Sequence, residues 1–217
     1  SGAAGPLSDL WKYSIKDEQW TWVAGAKAIN QAGSYTGTVY PGARFSLTGW
    51  TGADGKLWLF GGVNASSQRF SDLWRFDPAT GQWTFVKGDN TANQFGVYGS
   101  RGVPNAANKP GGRYVMVSWT DVNGDFWMYG GYGYGASGAI NYLSDVWRYR
   151  PADNVWTWMK GANNAQASLG AVAGTKTVPA FENTPGYKQA VTSWVDGNGN
   201  FWMIGGGNDQ GLNNSFW

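Results

Sequence analysis

An all-β fold built from repeated four-stranded units is the expectation for this chain, and three features carry it. A phrase of the Asp-Leu-Trp type recurs three times, four strand-like segments recur in fixed order around it, and the composition is rich in Trp and Gly but poor in charge. With 15 Trp, 34 Gly and only 14% charged residues, the chain departs from the usual quarter charged toward aromatic strands joined by Gly-dependent turns. Its 217 residues, 42% of them hydrophobic, are enough for one large all-β domain with a real core.

The phrase Asp9-Leu10-Trp11-Lys12-Tyr13 returns as Asp72-Leu73-Trp74-Arg75-Phe76 and as Asp145-Val146-Trp147-Arg148-Tyr149. Seven residues after each aromatic end comes a second motif: Trp20-Thr21-Trp22, Trp83-Thr84-Phe85 and Trp156-Thr157-Trp158. A third opens at Pro41-Gly42-Ala43-Arg44, Pro110-Gly111-Gly112-Arg113 and Pro185-Gly186-Tyr187-Lys188. The fourth ends in a double glycine: Leu57-Trp58-Leu59-Phe60-Gly61-Gly62, Phe126-Trp127-Met128-Tyr129-Gly130-Gly131 and Phe201-Trp202-Met203-Ile204-Gly205-Gly206.

Each segment is short, rich in aromatic and branched residues and bounded by Gly, Asn, Asp or Pro, so each reads as a strand. Runs such as Leu57 to Phe60 are apolar at consecutive positions, which requires cover on both faces of the sheet. Blades stacked around an axis supply that cover, and four strands per unit is the count of a propeller blade. The Asn-Gly and Asp-Gly pairs at Asn123-Gly124, Asn198-Gly199 and Asp54-Gly55 tolerate the positive φ of tight hairpins.

A double glycine followed by an aromatic and a Trp separated by six residues, as in Gly61-Gly62, Phe76 and Trp83, resembles the signature of the kelch repeat family. The resemblance covers residues 9–217 and implies a kelch-like β-propeller of three four-stranded repeats. Units start near residues 9, 72 and 145, residues 1–8 form a linker, and Ser215-Phe216-Trp217 begins a truncated fourth copy of the Asp-Leu-Trp strand. The repeats run longer than the roughly 50 residues usual for kelch, so the excess must sit in loops. Three blades fall below the four to eight of propellers. The remaining blades of a six- or seven-bladed ring are therefore expected from a longer chain or from a second copy, although Trp11 and Trp217 would compete for one position if the two ends met.

In blade order, strand a opens at Arg44, Arg113 or Lys188, b ends in the double glycine, c carries Asp-Leu-Trp and d carries Trp-Thr. Antiparallel strands then put only tight turns on one rim and every long loop on the other: 25–42, 87–111, 160–186 and the Gly-rich 132–141. Unusually long loops are often functional, which places the binding face there. Candidate ligand-binding residues on it are Asn30, Gln31, Tyr35, Asn93, Gln94, Tyr98, Tyr132 and Tyr134, amides and phenols able to hydrogen-bond or stack on sugars and polar peptides. Their competing reading is that each loop uses its own amides to satisfy its backbone. Asn163, Asn164 and Gln166 recur in the third loop.

Arg44, Arg113 and Lys188 are candidate ligand cations lining the channel. Their recurrence together with Asp9, Asp72 and Asp145 favours a structural tie within each blade. The recurring Trp residues read as core between blades. Asp121, Asn123, Asp125 and Asp196, Asn198, Asn200 have the alternate oxygens that open calcium loops but lack the downstream bidentate Glu. A hairpin turn explains them better, so no cofactor is expected and calcium is only a secondary reading.

Neither Cys nor His is present, which removes thiol nucleophiles, imidazole bases, disulfides and the usual zinc and copper sites. The copper chemistry of galactose oxidase-type kelch propellers is thereby excluded for these residues. A net charge of +2 without basic runs argues against nucleic acid. No stretch approaches the roughly 20 apolar residues of a membrane-spanning helix. The expectation is a non-catalytic module at the cell surface or outside the cell, for adhesion, protein binding or carbohydrate binding. The alternative is the scaffold domain of a larger secreted enzyme.

Overall fold

The computed structural model describes residues 4–165, 170–208 and 211–212. It consists of strands and turns, with no helix among the described residues and hence none able to cross a membrane. Gln166 and the Ser215-Phe216-Trp217 phrase lie outside those residues.

The strands are grouped by blade rather than by repeat. The chain opens with β1 (Leu10–Ser14) and β2 (Gln19–Ala24), a c–d hairpin that forms a two-stranded sheet of its own. The first blade follows, in the order β3 (Thr48–Thr51), β4 (Leu57–Phe60), β5 (Leu73–Asp77) and β6 (Gln82–Lys87). In the second blade strand a is divided into β7 (Arg113–Tyr114) and β8 (Val117–Thr120). Both pair with β9 (Phe126–Gly133), which pairs with β10 (Asn141–Arg150), and that with β11 (Val155–Lys160). Last come β12 (Gln189–Val195) and β13 (Phe201–Asn208), an a–b pair extended by the short β14 (Gly211–Leu212). Among the described residues there are thus two complete blades between two partial ones, instead of three complete four-stranded units. All pairing is antiparallel.

The repeated sequence produces repeated geometry down to its irregularities. Every c–d pair shifts register just before the Trp of the phrase, between Leu10 and Trp11, Leu73 and Trp74, and Val146 and Trp147. The double glycines are used for their conformation: Gly61 and Gly62 have φ of 71° and 96°, and Gly130 and Gly131 have 64° and 100°. Two successive left-handed residues follow the end of β4 and lie within β9, where the β9–β10 register shifts, and side chains resist that conformation.

Strand a differs from the expected uninterrupted run. It breaks two residues after the cation, where Ser46 and Val115 adopt φ of 54° and 55°. The break turns the Arg inward while the rest of the strand stays in the sheet, and the Val115 amide donates to the Ser46 carbonyl at 2.9 Å, joining the blades. The Gly-rich loop is shorter than expected, because β9 runs to Gly133 and β10 starts at Asn141.

The core lies between blades. Trp50, Trp58, Phe60 and Leu73 of the first blade pack against Phe126, Met128, Trp147, Tyr149 and Trp156 of the second. The Trp50 indole donates across that junction to the carbonyls of Trp119 (3.0 Å) and Trp127 (3.2 Å), and Trp119 repeats the bond to Trp202 (3.2 Å). The expectation that recurring Trp residues are buried holds inside the stack and fails at its ends. Trp11, Trp20, Trp22, Trp194 and Trp202 are exposed among the described residues.

Candidate functional site

In both complete blades the cation of strand a reaches the Asp that opens strand c. Arg44 Nη1 lies 2.6 Å from Asp72 Oδ1, and Arg113 Nη1 lies 2.6 Å from Asp145 Oδ1. The same guanidinium donates to the first carbonyl of the double glycine, Gly61 or Gly130, at 3.1 Å, and through Nε to Gly42 or Gly111. The second carboxylate oxygen accepts from the indole two residues on, Trp74 to Asp72 at 2.6 Å and Trp147 to Asp145 at 2.7 Å. A phenol from the preceding long loop completes the set: Tyr35 donates to Asp72 and Tyr98 to Asp145, both at 2.6 Å.

These charges are fully desolvated, and only dense hydrogen bonding makes such burial tolerable. Burial alone would lower the Arg113 pKa, but the Asp145 carboxylate more than offsets it and the guanidinium stays charged. Burial, then the Asp72 and Asp145 charges, push the Tyr35 and Tyr98 phenols well above the ordinary range, so both act as donors. Arg44 and Arg113 thus answer the carboxylate of their own blade. Lys188 occupies the equivalent place in the last repeat and is also buried.

The two tyrosines fasten the long loops to the core of the blades. Sequence reasoning missed this role, although the spacing carried it: Tyr35 and Tyr98 each follow an Asn-Gln pair by four residues. Asn30 and Asn93 at the head of those pairs have φ of 57° and 63°. The Asn93 side chain accepts from the Arg69 amide at 2.9 Å, tying its loop to the connection between β4 and β5, and Gln94 donates to the Ala92 carbonyl of its own loop at 3.0 Å. The Gln31 and Gln94 carbonyls accept from Ala43 (2.7 Å) and Gly112 (2.9 Å), binding the loop to the start of strand a.

On the first blade Asn30, Gln31, Tyr35 and Arg44 come together around a cavity of about 240 Å³. Its far wall is the turn after strand b, where Asn64 and Ser66 add polar groups that the sequence did not single out. On the second blade Tyr132 stacks edge-on between Tyr114 and Tyr142, with the Arg69 guanidinium 5.9 Å from its ring. Tyr134 instead meets the exposed Phe95, ring centroids 5.4 Å apart. The loops are also bonded to one another, Gly96 donating to Gly135 (2.9 Å) and Ala136 to Asn163 (2.6 Å), while Gly102 donates to Trp158 of β11 (2.7 Å).

The acidic turns lie on the opposite rim. Asp121 Oδ1 accepts the Asn123 and Asp125 amides and its Oδ2 accepts the Trp127 indole at 2.8 Å. Asp196 repeats the arrangement with Asn198, Asn200 and Trp202, and hydrogen bonds led by the Asn200 side chain hold its carboxyl down at about 2. Each carboxylate is occupied by its own hairpin, and no cluster of three metal-ligating acids forms among the described residues.

No curated protein matches the chain. Kelch repeats are in general non-catalytic binding modules that commonly mediate protein interactions. Residues 51–88, which run from the end of β3 through β6 and include the first double glycine, Phe76 and Trp83, match the family model described as Kelch motif, which supports a kelch-repeat family.

Proposed function

We propose that the chain is a non-catalytic binding module outside the cell or at its surface, and that it engages a protein partner through the long-loop rim. The observation that carries this reading is the fixed apolar relief of that rim. Phe95, Val97 and Val103 are exposed on a long loop held by hydrogen bonds to its neighbours and by the buried Tyr98 anchor, and Phe45 and Leu47 are exposed on the adjoining strand a. Apolar groups kept in water on a preorganised surface favour a protein partner, because little ordering entropy is lost when the surfaces meet. The opposite rim has only tight turns, on which Ile15 and Val122 are isolated exposed apolar side chains.

The polar cavity at Asn30, Gln31, Tyr35 and Asn64 favours a second reading, in which the same rim takes a sugar residue. Arg44, Arg113, Lys188, Asn93, Gln94, Tyr98, Tyr132 and Tyr134 then act mainly by shaping the rim. Three proteins separate the readings: the wild type, a rim variant Phe95→Ser/Val103→Ser, and an opposite-rim control Val122→Ser. Affinity capture from surface extracts of the source cells and a glycan array are run on each. One partner protein bound by the wild type and the control but lost by the rim variant is the expected result. Glycan binding lost on Asn30→Ala, without a protein partner, transfers the function to the sugar reading. Capture abolished by Val122→Ser places the binding face on the wrong rim.

A further inference from the structure

The cavity of about 240 Å³ on the first blade lies where the second blade is filled by its own chain. Between the double glycine and the Asp of strand c the second blade has thirteen residues, 132–144, and the first only nine, 63–71. The longer connection carries β9 on to Gly133 and then lays Tyr134 and Gly135 against the long loop. There the Tyr134 amide donates to the Gly112 carbonyl at 3.0 Å, and the Gly135 carbonyl accepts from the Gly96 amide at 2.9 Å. The shorter connection has already turned back: the Asn64 amide donates to the Gln68 carbonyl at 3.1 Å and the Ser67 amide to the Asn64 carbonyl at 3.0 Å.

The groups that meet Tyr134 and Gly135 are nevertheless in place on the first blade. Ser34 bridges Tyr40 as Val97 bridges Lys109, so Gly33 and Ala43 stand where Gly96 and Gly112 do. Among the described residues the Gly33 amide and the Ala43 carbonyl have no hydrogen-bond partner, although Ala43 is only 4% exposed. An unpaired carbonyl on a buried residue is uncommon in a native fold, and here it leaves an acceptor open to an incoming donor. Gly33 is exposed where Gly96 is buried. A Cβ on Gly111 would lie 2.3 Å from the Tyr134 carbonyl oxygen, whereas the nearest atoms to one on Gly42 all belong to Gln31, Ala32 and Gly33 of its own loop.

Asn30 adds a side chain to the same opening. Its amide donates to the Pro6 carbonyl as that of Asn93 donates to Arg69, but Pro6 has no N–H to return the bond that Arg69 makes to the Asn93 side chain. The Asn30 side chain lines the cavity instead.

We propose that this cavity is a slot for an extended, uncharged peptide segment of a protein partner, a proposal that rests on the reading of the long-loop rim as a protein-binding face. The segment adds to the first blade as Tyr134 and Gly135 add to the second. One residue donates its amide to the Ala43 carbonyl and lays its own carbonyl against Gly42; the next accepts from the Gly33 amide. Backbone bonds of this kind give strand addition its affinity, and the walls select the side chains. The second of the two residues is small, as Gly135 is, because it enters between the 30–33 loop and the turn at Asn64 and Ser66. The Arg44 charge is answered by Asp72 and its guanidinium lies 4.0 Å from the centre of the Phe70 ring, so the slot offers an aromatic wall and no free charge to a charged segment.

The probe is acetyl-Gly-Tyr-Gly-Ala-Ser-amide, the sequence of residues 133–137 of this chain, titrated into the whole protein while its backbone amides are followed by NMR. A saturable shift of the Gly33 amide at millimolar peptide is expected, with the Val122 turn unmoved. Methylating the Tyr nitrogen of the peptide removes the donor to Ala43 and should weaken binding by ~10-fold. In a second protein residues 64–68 are replaced by the sequence of residues 133–141, so that the first blade fills its own slot and the peptide no longer binds. A Gly33 amide that the peptide leaves unmoved overturns the proposal, as do equal affinities for the two peptides, which test the contact without altering the protein. A monosaccharide that shifts Gly33 where the peptide does not assigns the cavity to a sugar. A partner captured in full by the hairpin-replaced protein but lost by Phe95→Ser/Val103→Ser overturns the slot and leaves the rim reading standing. Capture lost in Val122→Ser, with the peptide still bound at Gly33, is a failure of the rim reading and not of the slot.

Discussion

Asp145 shows how a single side chain organises a blade. Its carboxylate is fully buried and takes Arg113, Tyr98 and the Trp147 indole, one group each from strand a, the preceding long loop and strand c. Replacing Arg113 with Met keeps the volume and removes the charge, leaving a carboxylate with two neutral donors in a dry site. We expect a loss of about 3–5 kcal/mol of stability in urea unfolding, the usual cost of breaking a buried pair from one side. Adding Asp145→Asn should recover part of it, since the orphaned charge and not the lost attraction dominates. If Arg113→Met unfolds at the wild-type midpoint, the tie is not structural. The Arg and Asp partners were legible in the sequence because they recur together. The Tyr was not read as their partner, because Tyr98 lies 47 residues before Asp145 and Tyr35 only 37 before Asp72. Loops of unequal length hide a contact that is the same in space.

At the level of elements, strands b, c and d follow closely from their sequences, since aromatic and apolar runs between Gly and Asp turns leave little choice. Strand a does not. Nothing local to Ser46 or Val115 announces a left-handed residue; the break is imposed by the reach of the Arg to its Asp and by the bond between those two residues across blades. The double glycine, by contrast, reports its conformation directly. A Cβ on Gly131 would sit 2.7 Å from the Tyr114 carbonyl oxygen, at a φ of +100° that side chains avoid. Gly131→Ala should therefore cost roughly 2 kcal/mol or more, combining backbone strain with displacement of strand a. Gly138→Ala is the matched comparison, because it also has positive φ but meets nothing within 4 Å, and only the strain should remain. Equal losses at the two positions would show that the close approach of strand a contributes nothing.

Across the whole molecule, stability in a stack of repeats is the sum of each blade and its junctions. Among the described residues Trp11, Trp20 and Trp194 are exposed while Trp74 and Trp147 are fully buried, so the same repeated residue is covered only where another sheet lies beside it. Repetition made the middle of the stack readable from sequence but disguised its ends, because identical motifs have different surroundings according to what lies beside them. Hydrogen exchange can read that difference along one chain. At nanomolar concentration the amides of β1 and β2, paired only with each other, should exchange far faster than those of β5 and β10, which are bonded on both sides. Protection already equal to that of β5 in the dilute chain would mean that the hairpin is covered within one molecule.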